Sequence, residues 1–417
     1  MLIEFSVSNF RSFRERQTLS MVATPRLLKR KNVFKPALKG EKFPDLLKVA
    51  VIYGPNASGK SNLLKALDVV CEIAHREPST RDIPLPVTPF CFDADLANQP
   101  SFFELHFIHV GLRYQFNLAV TSERIVGEKL LAFPKGRESL LYERQHTEQG
   151  DSYNFGEQLK AGLSDALLTA WQKLTPPRLL FIAQAVANSS EELDQLKVPF
   201  EWLKESSRAL LNGMTDLANG AQKLASESNM FAQNIASFLR EVDVPISNIR
   251  VEKTKPQEIS LNAFEQLASV PRIKNKTFLT HKTALGEADL AYEDESDGTK
   301  SLIGFWLPWT IKEESNARSL LIVDELDSSL HPKIVAALIE KHINDPRSSQ
   351  LIFTTHDTHL MDTKLLRRDQ FWITERDING ATQLRSIHDF EGRDSEDIEK
   401  RYYEGRYRGL PLLKRSQ

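Results

Sequence analysis

The stretch "GPNASGKS", Gly54–Ser61, indicates the fold of this chain. It matches the pattern G-x-x-x-x-G-K-[ST] and lies between the apolar segment 47–53 and the segment 61–75, whose apolar residues recur at helical spacing. A strand, a glycine-rich loop and a helix in this order form a phosphate loop, where backbone N–H groups and the positive end of the helix face a triphosphate. The stretch therefore predicts an α/β fold that binds a nucleoside triphosphate.

Each position of this phosphate loop has an expected role. Gly54 and Gly59 allow the backbone to approach the phosphates closely. Lys60 is expected to reach the β- and γ-phosphates, and Ser61 is expected to bind Mg²⁺. The other expected nucleotide contacts, in and beside the loop, are Pro55, Asn56, Ala57, Ser58 and Asn62.

The stretch "SLLIVDELDSSLHP", 319–332, supplies acidic partners for the metal and the water. Its apolar residues predict a buried strand, and Asp324 and Glu325 follow at the carboxyl end, where α/β sheets place ligands. We expect Asp324 to hold Mg²⁺ and Glu325 to position or deprotonate the attacking water. Acidic residues at an ordinary strand end are the alternative, and the phosphate loop upstream argues against it.

A third apolar strand lies in "QLIFTTHDTHL", 350–360, and ends next to His356. A histidine at this place could form a hydrogen bond with the γ-phosphate and act as its sensor. A lone histidine is usually an ordinary surface or core residue, and the order of the motifs favours the sensor. His359 is assigned a structural role.

A second loop with the pattern Ser-x-Gly occurs far downstream, in "YEDESDGTKSLIG", 292–304. Gly298 and the start of a helix near Thr299 would point N–H donors at a γ-phosphate. The local alternative is an acidic helix start with Ser296 as its N-cap. One explanation for a second such loop is that it serves the nucleotide of another chain.

The order of these motifs resembles the ABC-type ATPases, specifically their SMC, RecF and OLD-like branch. The resemblance implies ATP and Mg²⁺ as cofactors and an α/β head with a mixed central sheet, an antiparallel β subdomain and an inserted helical lobe. In that family the Ser-x-Gly signature of one subunit contacts the ATP held by another. Ser296 and Gly298 would therefore complete a site across a dimer, and Asp327 would begin the interface loop 327–329.

Two further site residues follow from the resemblance. The segment "NFRSF", 9–13, is similar to the N-terminal segment of RecF-like and SMC-like ATPases, where an arginine near the nucleotide corresponds to Arg11. The glutamine that senses magnesium in this family is matched by Gln184 in "LLFIAQAVAN", with Gln99 as the alternative. Without the resemblance, an ordinary surface position would be a simpler interpretation of each glutamine than a role at the metal.

The combination of "GPNASGKSN", "ESDGTKSL", "DELDSSLHP" and "IEKRYYEGRYRGLP" is most similar to a bacterial group called RloA-like, often part of anti-phage or restriction-associated systems. Heptads are not sustained, so the long coiled-coil arms of SMC-like proteins are not expected. OLD-type nucleases carry a metal-dependent toprim domain after the ATPase, and no such pattern follows His356. We therefore expect an ATPase without a nuclease domain in this chain.

Composition limits the partners and the compartment. Lys and Arg number 54 and Asp and Glu 56, so nucleic-acid binding is possible only through a local patch. Hydrophobic residues make up 41% of the 417 residues, enough for a buried core. Cys71 and Cys91 have neither metal-ligand spacing nor a disulfide pattern. Neither a run of about twenty apolar residues nor a signal sequence occurs, so we expect a cytoplasmic protein without membrane contact.

The segment patterns predict four parts. Residues 1–150 would form the N-terminal half of the head, with the phosphate loop and the antiparallel β subdomain, and 151–245 the inserted helical lobe. Residues 246–390 would carry the signature, the acidic strand end and His356. Residues 391–417 would form a basic and aromatic C-terminal tail, interpreted as a solvated face.

These inferences predict an ATPase that uses ATP binding and hydrolysis to change its conformation. ATP binding would close a homodimer or a higher homo-oligomer, and hydrolysis would open it. The preferred hypothesis is a sensor and scaffold in bacterial anti-phage defence that controls a separate effector protein, a nuclease or a toxin. The alternative is a RecF-like ATPase that binds DNA directly in repair or recombination.

Overall fold

The computed structural model describes residues 1–77, 79, 82–189, 193–205, 207–210, 215–253, 275–314, 320–346, 349–393 and 396–410. The chain divides into two compact units. Unit 1 consists of Met1–Leu211, Ala317–Asp327 and Leu338–Gln417, and unit 2 consists of Asn212–Asn316 and Ser328–Ala337. Residues 411–417 of the predicted C-terminal tail and 254–274 of the predicted C-terminal half lie outside the described residues.

The secondary structure alternates between strands and helices along the chain. The strands are β1 Leu2–Ser8, β2 Gln17–Ser20, β3 Val33–Phe34, β4 Leu46–Leu47, β5 Val49–Tyr53, β6 Ser101–His109, β7 Leu112–Val120, β8 Ile125–Ala132, β9 Ser139–Thr147, β10 Gly150–Phe155, β11 Ser207–Leu210, β12 Ile246–Lys253, β13 Asn275–Thr283, β14 Gly286–Ala291, β15 Leu320–Val323, β16 Gln350–Thr354, β17 Phe371–Arg376 and β18 Thr382–Ser386. The α-helices are α1 Lys60–Ala74, α2 Glu157–Ala161, α3 Asp165–Leu174, α4 Phe181–Ala187, α5 Asp194–Glu205, α6 Thr215–Glu227, α7 Asn229–Glu241, α8 Asp297–Glu314, α9 Pro332–Asn344 and α10 Ile398–Tyr403. Short 3-10 helices include Arg30–Asn32, Pro134–Gly136, Tyr292–Asp294, Thr358–Leu360, Arg368–Gln370 and Ile387–Asp389.

The central sheet of unit 1 has the strand order β11-β15-β16-β5-β17-β18. Neighbouring strands are parallel except for β18, which is antiparallel to β17. Phe353 pairs with Val323 on one side and with Val51 on the other, so β15, β16 and β5 end at the same edge. All residues of these three strands are buried, as expected for apolar strands covered on both faces. The loops that follow them therefore leave the sheet side by side.

A second sheet of unit 1 is antiparallel, with the order β10-β9-β8-β7-β6-β1-β2. Along β7 buried residues alternate with less buried ones, which gives the sheet one face toward the core. This face and α1 contribute to one hydrophobic cluster. Phe107 of β6 stacks on Trp202 of α5 with ring centroids 4.1 Å apart. The aromatic residues thus join the antiparallel sheet to the helices that cover it.

Unit 2 combines the antiparallel sheet β12-β13-β14 with α6, α7 and α8. Phe231 of α7 packs edge to face on Trp306 of α8, with ring centroids 6.1 Å apart. A Cβ at Gly220 of α6 would lie 2.8 Å from Leu307 Cδ2 of α8. The missing side chain at Gly220 therefore allows the close approach of these two helices.

The described structure confirms the predicted fold class, with a mixed central sheet, an antiparallel β subdomain and helices between them in the chain. The division into four parts stays a prediction. Strand β11 follows α5 and pairs in parallel with β15, and α2 to α5 lie in unit 1, whereas α6 and α7 lie in unit 2. Within the described residues, no helix combines the length and apolarity needed to cross a membrane.

The described part of the C-terminal tail has a buried apolar side and an exposed charged side. Ile398, Tyr402 and Tyr407 are all buried, and the Tyr402 hydroxyl donates to Gly409 O at 2.8 Å. Gly409 has a positive φ of 69°, and a Cβ there would collide with Ile373 of β17. Tyr402 and Tyr407 therefore pack in unit 1, whereas the charged residues Lys400, Glu404, Arg406 and Arg408 are exposed, as the predicted solvated face requires.

Candidate nucleotide site

The phosphate loop leaves the carboxyl end of β5 and continues into α1. Gly59 is the N-cap of α1, with a φ of 104°, and Gly54 and Ala57 have φ values of 150° and 61°. Glycine adopts positive φ at little cost, which explains its place at the sharp turns of this loop. The first N–H groups of α1 have no partner within the helix, so they are available to an anion.

The hairpin of β17 and β18 packs directly on this loop. A Cβ on Gly54 would collide with Thr374, and a Cβ on Gly59 would collide with Thr382. The Thr374 hydroxyl lies 2.6 Å from Ser58 Oγ, and the Thr382 hydroxyl donates to Ser58 O at 2.9 Å. The sequence did not reveal these two threonines, because Thr374 is 316 residues from Ser58 and no local pattern marks the contact.

Lys60 is buried at the base of the loop. Its ammonium donates to Gly54 O at 2.8 Å and to Pro55 O at 3.3 Å. Burial lowers the pKa of Lys60 below its ordinary value. The negative charges of three carboxylates raise this pKa in part, and these belong to Asp324, Glu325 and Asp327. The phosphate loop and the acidic strand end are therefore within electrostatic reach of each other.

Thr354, at the end of β16, holds both acidic residues that follow β15. Its hydroxyl donates to Asp324 Oδ1 at 2.6 Å and accepts from the backbone N–H of Glu325 at 2.8 Å. Thr354 is buried, Asp324 is half-buried and Glu325 is exposed. Glu325 has a φ of 52°, a conformation that costs a non-glycine residue about 1–2 kcal/mol. The hydrogen bond from Glu325 to Thr354 stabilises this strained turn.

His356 begins the switch segment, His356–Leu360, which follows β16. Its backbone N–H donates to Asp327 Oδ2 at 3.3 Å, and its imidazole is exposed. Asp327 Oδ1 is buried and has no hydrogen-bond partner among the described residues. His359 is also exposed, and its Nδ1 lies 3.4 Å from a carboxylate oxygen of Glu399 in α10. Asp327 thus ties the backbone of His356 to the acidic strand end, whereas His359 faces the C-terminal helix.

Arg11 lies in a turn after β1 and has a φ of 50°. Its guanidinium is exposed and lies 5.6 Å from the centroid of the Phe10 ring. The next residue, Ser12, accepts at Oγ from Asn62 Nδ2 at 2.9 Å, and the same oxygen lies 2.8 Å from the Thr382 hydroxyl. Ser12 therefore ties this turn to the first turn of α1, which places Arg11 beside the phosphate loop.

Ser61 and Asp324 offer a hydroxyl and a carboxylate, which are oxygen ligands suited to Mg²⁺. Ser61 is the second residue of α1 and is half-buried. Across the described ranges, no group of three or more His, Cys, Asp or Glu side chains could hold a metal ion by itself. Mg²⁺ commonly takes one or two protein ligands and completes its shell with phosphate oxygens and water. These two residues therefore fit Mg²⁺ that binds together with a nucleotide.

The two candidate glutamines lie elsewhere in unit 1. Gln184 is half-buried in α4, whose first two N–H groups donate to the buried carboxylate of Glu128. Gln99 is exposed in the loop before β6. Among the described contacts, none joins either glutamine side chain to Ser61 or Asp324. The role of Gln184 at the metal therefore stays a prediction.

The Ser-x-Gly loop belongs to unit 2 and starts α8, two residues earlier than predicted. Ser296 Oγ accepts from the Thr299 N–H at 3.1 Å, so Ser296 is the N-cap, and its side chain is nevertheless exposed. A Cβ on Gly298 would lie 2.7 Å from the carbonyl oxygen of Ser329. Close contact within unit 2 is therefore one reason for glycine at position 298.

A histidine that the sequence pattern did not reveal supports this helix start. His281 Nε2 of β13 lies 2.6 Å from Glu295 Oε1, and Glu295 is buried directly before Ser296. The pair connects β13 to the start of α8. Because the two residues are separated by a hairpin, neither short segment shows the contact.

The family model described as "AAA domain, putative AbiEii toxin, Type IV TA system" matches residues 49–362. This range contains the phosphate loop, the Ser-x-Gly loop, the acidic strand end and the switch segment. Among solved structures, the SmcHead bound to the C-winged helix domain of ScpA is 14% identical, with a TM-score of 0.44, and the match covers 96% of this chain and 99% of that one. The SMC head domain from Thermotoga maritima is also 14% identical, with a TM-score of 0.38 and coverage of 92% and 98%. A comparison with curated proteins found no match.

Proposed function

The chain belongs to this AAA-domain family, and we propose that it hydrolyses ATP as an ABC-type ATPase at the site formed by the phosphate loop, Asp324 and Glu325. The observation that carries the proposal is the hydrogen bonding of Thr354. One buried hydroxyl orients the Asp324 carboxylate and anchors the backbone of Glu325, and both acidic residues lie within electrostatic reach of Lys60. An ordinary strand end would not need this arrangement.

Each residue has a distinct part in the chemistry. The Lys60 ammonium would exchange its two carbonyl partners for phosphate oxygens, which bind it more strongly because they are charged. Ser61 and Asp324 would hold Mg²⁺, which when bound stabilises the negative charge that develops on the γ-phosphate. The exposed Glu325 carboxylate would orient the attacking water and accept its proton.

His356 would complete the site by a hydrogen bond to a γ-phosphate oxygen. Its imidazole is exposed, while its backbone is held by Asp327. Arg11 would contact the nucleotide from the other side of the phosphate loop, since Ser12 ties its turn to α1. These two roles follow from position, and substitution of each residue tests them.

The test is the rate of ATP hydrolysis by the purified chain and two variants. Glu325→Gln should keep nucleotide binding and lower turnover by a factor on the order of a hundred or more, because a general base is lost. Lys60→Ala should weaken nucleotide binding. Glu340→Gln, an exposed glutamate of α9, is the matched control for the loss of one carboxylate. Wild-type turnover in Glu325→Gln would refute the assignment.

We also propose that two chains share each ATP, with Ser296 and Gly298 of one chain facing the phosphate loop of the other. Support comes from the start of α8, where Ser296 caps the helix and still exposes its side chain. The positive end of the helix and its N–H donors suit a γ-phosphate. ATP would then hold a homodimer closed until hydrolysis, and the buried Asp327 Oδ1 could gain a partner in that state.

The closing and opening of this dimer would control a separate effector, a nuclease or a toxin, in bacterial anti-phage defence. The family description names a toxin of a Type IV toxin–antitoxin system, which is compatible with a defence role. Purification of the tagged chain with its neighbouring gene products, followed by mass spectrometry, tests this proposal. A stable complex that changes with ATP would support it. ATP-dependent DNA binding by the chain alone, without a protein partner, would instead favour a RecF-like role.

A further inference from the structure

The C-terminal helix α10 contacts the switch segment directly. The Thr358 hydroxyl donates to Glu399 Oε1 at 2.9 Å and lies 2.9 Å from the Tyr403 hydroxyl. Thr358 is the second residue after His356. Glu399 and Tyr403 are four residues apart on α10, a spacing that places them on one face of the helix. Both side chains therefore hold the same threonine.

The same helix also contacts the strand that leads to the phosphate loop. The ring of Tyr402 lies 6.5 Å from that of Tyr53, the last residue of β5. The Tyr53 hydroxyl donates to Asp357 O at 3.2 Å. Burial raises the pKa of Tyr53 well above its ordinary value, so Tyr53 keeps this proton. The switch segment is thus held from β5 as well as from α10.

The residues after α10 extend these contacts to β17. Arg408 donates to Glu375 Oε1 of β17 at 3.3 Å, and Gly409 packs on Ile373 of the same strand. The neighbouring Thr374 is the residue that contacts Ser58 in the phosphate loop. The segment 398–409 therefore connects the strand behind the phosphate loop to the switch segment.

From these contacts we infer that Thr358, Glu399 and Tyr403 are positioning residues for His356. The inference rests on the proposed function, in which His356 contacts the γ-phosphate. No hydrogen bond to the His356 imidazole occurs among the described residues, so its place depends on the backbone of the switch segment. The segment is held at three successive residues. Asp327 holds the backbone N–H of His356, and Tyr53 holds the carbonyl of Asp357. The two side chains of α10 hold the hydroxyl of Thr358.

This arrangement gives the C-terminal segment a part in catalysis. If the bonds of Thr358 break, the switch segment can shift, and the imidazole loses the position needed to contact the charge that develops in the transition state. Binding of ATP itself depends mainly on the phosphate loop. The loss should therefore lower kcat and leave KM for ATP unchanged.

The experiment compares kcat and KM for ATP in the full-length chain. Thr358→Val removes both hydrogen bonds with little change in shape and should lower kcat about 3- to 10-fold, less than the full effect of two hydrogen bonds because water reaches this contact. Thr358→Ser keeps the hydroxyl and should restore the rate. Glu399→Ala should also lower kcat, whereas Glu404→Ala, an exposed glutamate directly after α10, should not. Unfolding midpoints of all variants should agree within a few degrees.

A double substitution separates this inference from the proposed function. In His356→Ala the imidazole is absent, so Thr358→Val should cause no further loss of kcat. Wild-type kcat in Thr358→Val, or a further loss of the same size in the His356→Ala background, would overturn the inference. Wild-type kcat in His356→Ala would instead refute the proposed role of His356.

Discussion

Replacing Thr354 by valine tests the hydrogen bonding on which the proposed site depends. Valine has the same shape and the same β-branching as threonine, so it occupies the buried space at the end of β16 without a new void. The change removes the donor to Asp324 Oδ1 and the acceptor of the Glu325 N–H. The folded core stays intact while both acidic residues lose their common anchor.

The expected loss follows from these two hydrogen bonds. A bond to a charged group contributes about 1.5–3 kcal/mol, and a neutral one about 1 kcal/mol. Because each factor of ten in rate corresponds to about 1.4 kcal/mol, loss of both bonds, together about 2.5–4 kcal/mol, should decrease kcat about 60- to 700-fold. The free energy of unfolding should change by only about 1 kcal/mol, since Asp324 is half-buried and Glu325 exposed, so water can replace the hydroxyl.

The assay is steady-state ATP hydrolysis, with thermal unfolding measured on the same samples. Thr354→Ser keeps the hydroxyl and should retain most of the activity. Thr277→Val is the control for the substitution itself, because Thr277 is also buried and its hydroxyl has no hydrogen-bond partner in the described part of the chain. If kcat of Thr354→Val stayed within a factor of about two of that of Thr277→Val, the hydroxyl would not order the acidic residues.

Further predictions concern the shared site, the acid stability and the nucleotide contact. Ser296→Asp keeps the helix cap and adds a negative charge that repels phosphate, so its ATPase activity should be lower than that of Ser296→Asn. Mixing Ser296→Asp chains with Lys60→Ala chains should restore part of the activity. Fully active Ser296→Asp homodimers would exclude a shared site. Burial and, to a lesser extent, the N-terminal ammonium lower the pKa of His109 from 6.5 to about 4. His109 is therefore protonated more readily in the unfolded chain than in the folded one, so the free energy of unfolding should fall as pH falls from 6.5 to 4. In His109→Gln the free energy of unfolding should depend less on pH over this range. Arg11→Ala should weaken ATP binding about tenfold in calorimetry, whereas Arg14→Ala, whose guanidinium is paired with Asp93, should leave it unchanged.

Elements whose physical requirements are local could be predicted from the residues alone. A phosphate loop needs glycines at its turns, a strand before it and a helix after it, and all of these lie within about 25 residues of the chain. The acidic residues after β15 and His356 after β16 follow buried apolar strands, so their place at one edge of a sheet could be predicted from strand ends alone. The structure has the corresponding strands in parallel and side by side.

The residues that hold these elements in place became visible only in the folded chain. Thr354 anchors Asp324 from 30 residues away, and Thr374 supports Ser58 from 316 residues away. The contact of Tyr403 in the C-terminal segment with Thr358 in the switch segment has no local sequence pattern either. The parallel pairing of β11 with β15 likewise joins segments that are distant in the sequence. A hydrogen bond between distant residues requires only a donor such as a hydroxyl at one end and an oxygen acceptor at the other, and such residues are too common in any sequence to mark the contact before the chain has folded.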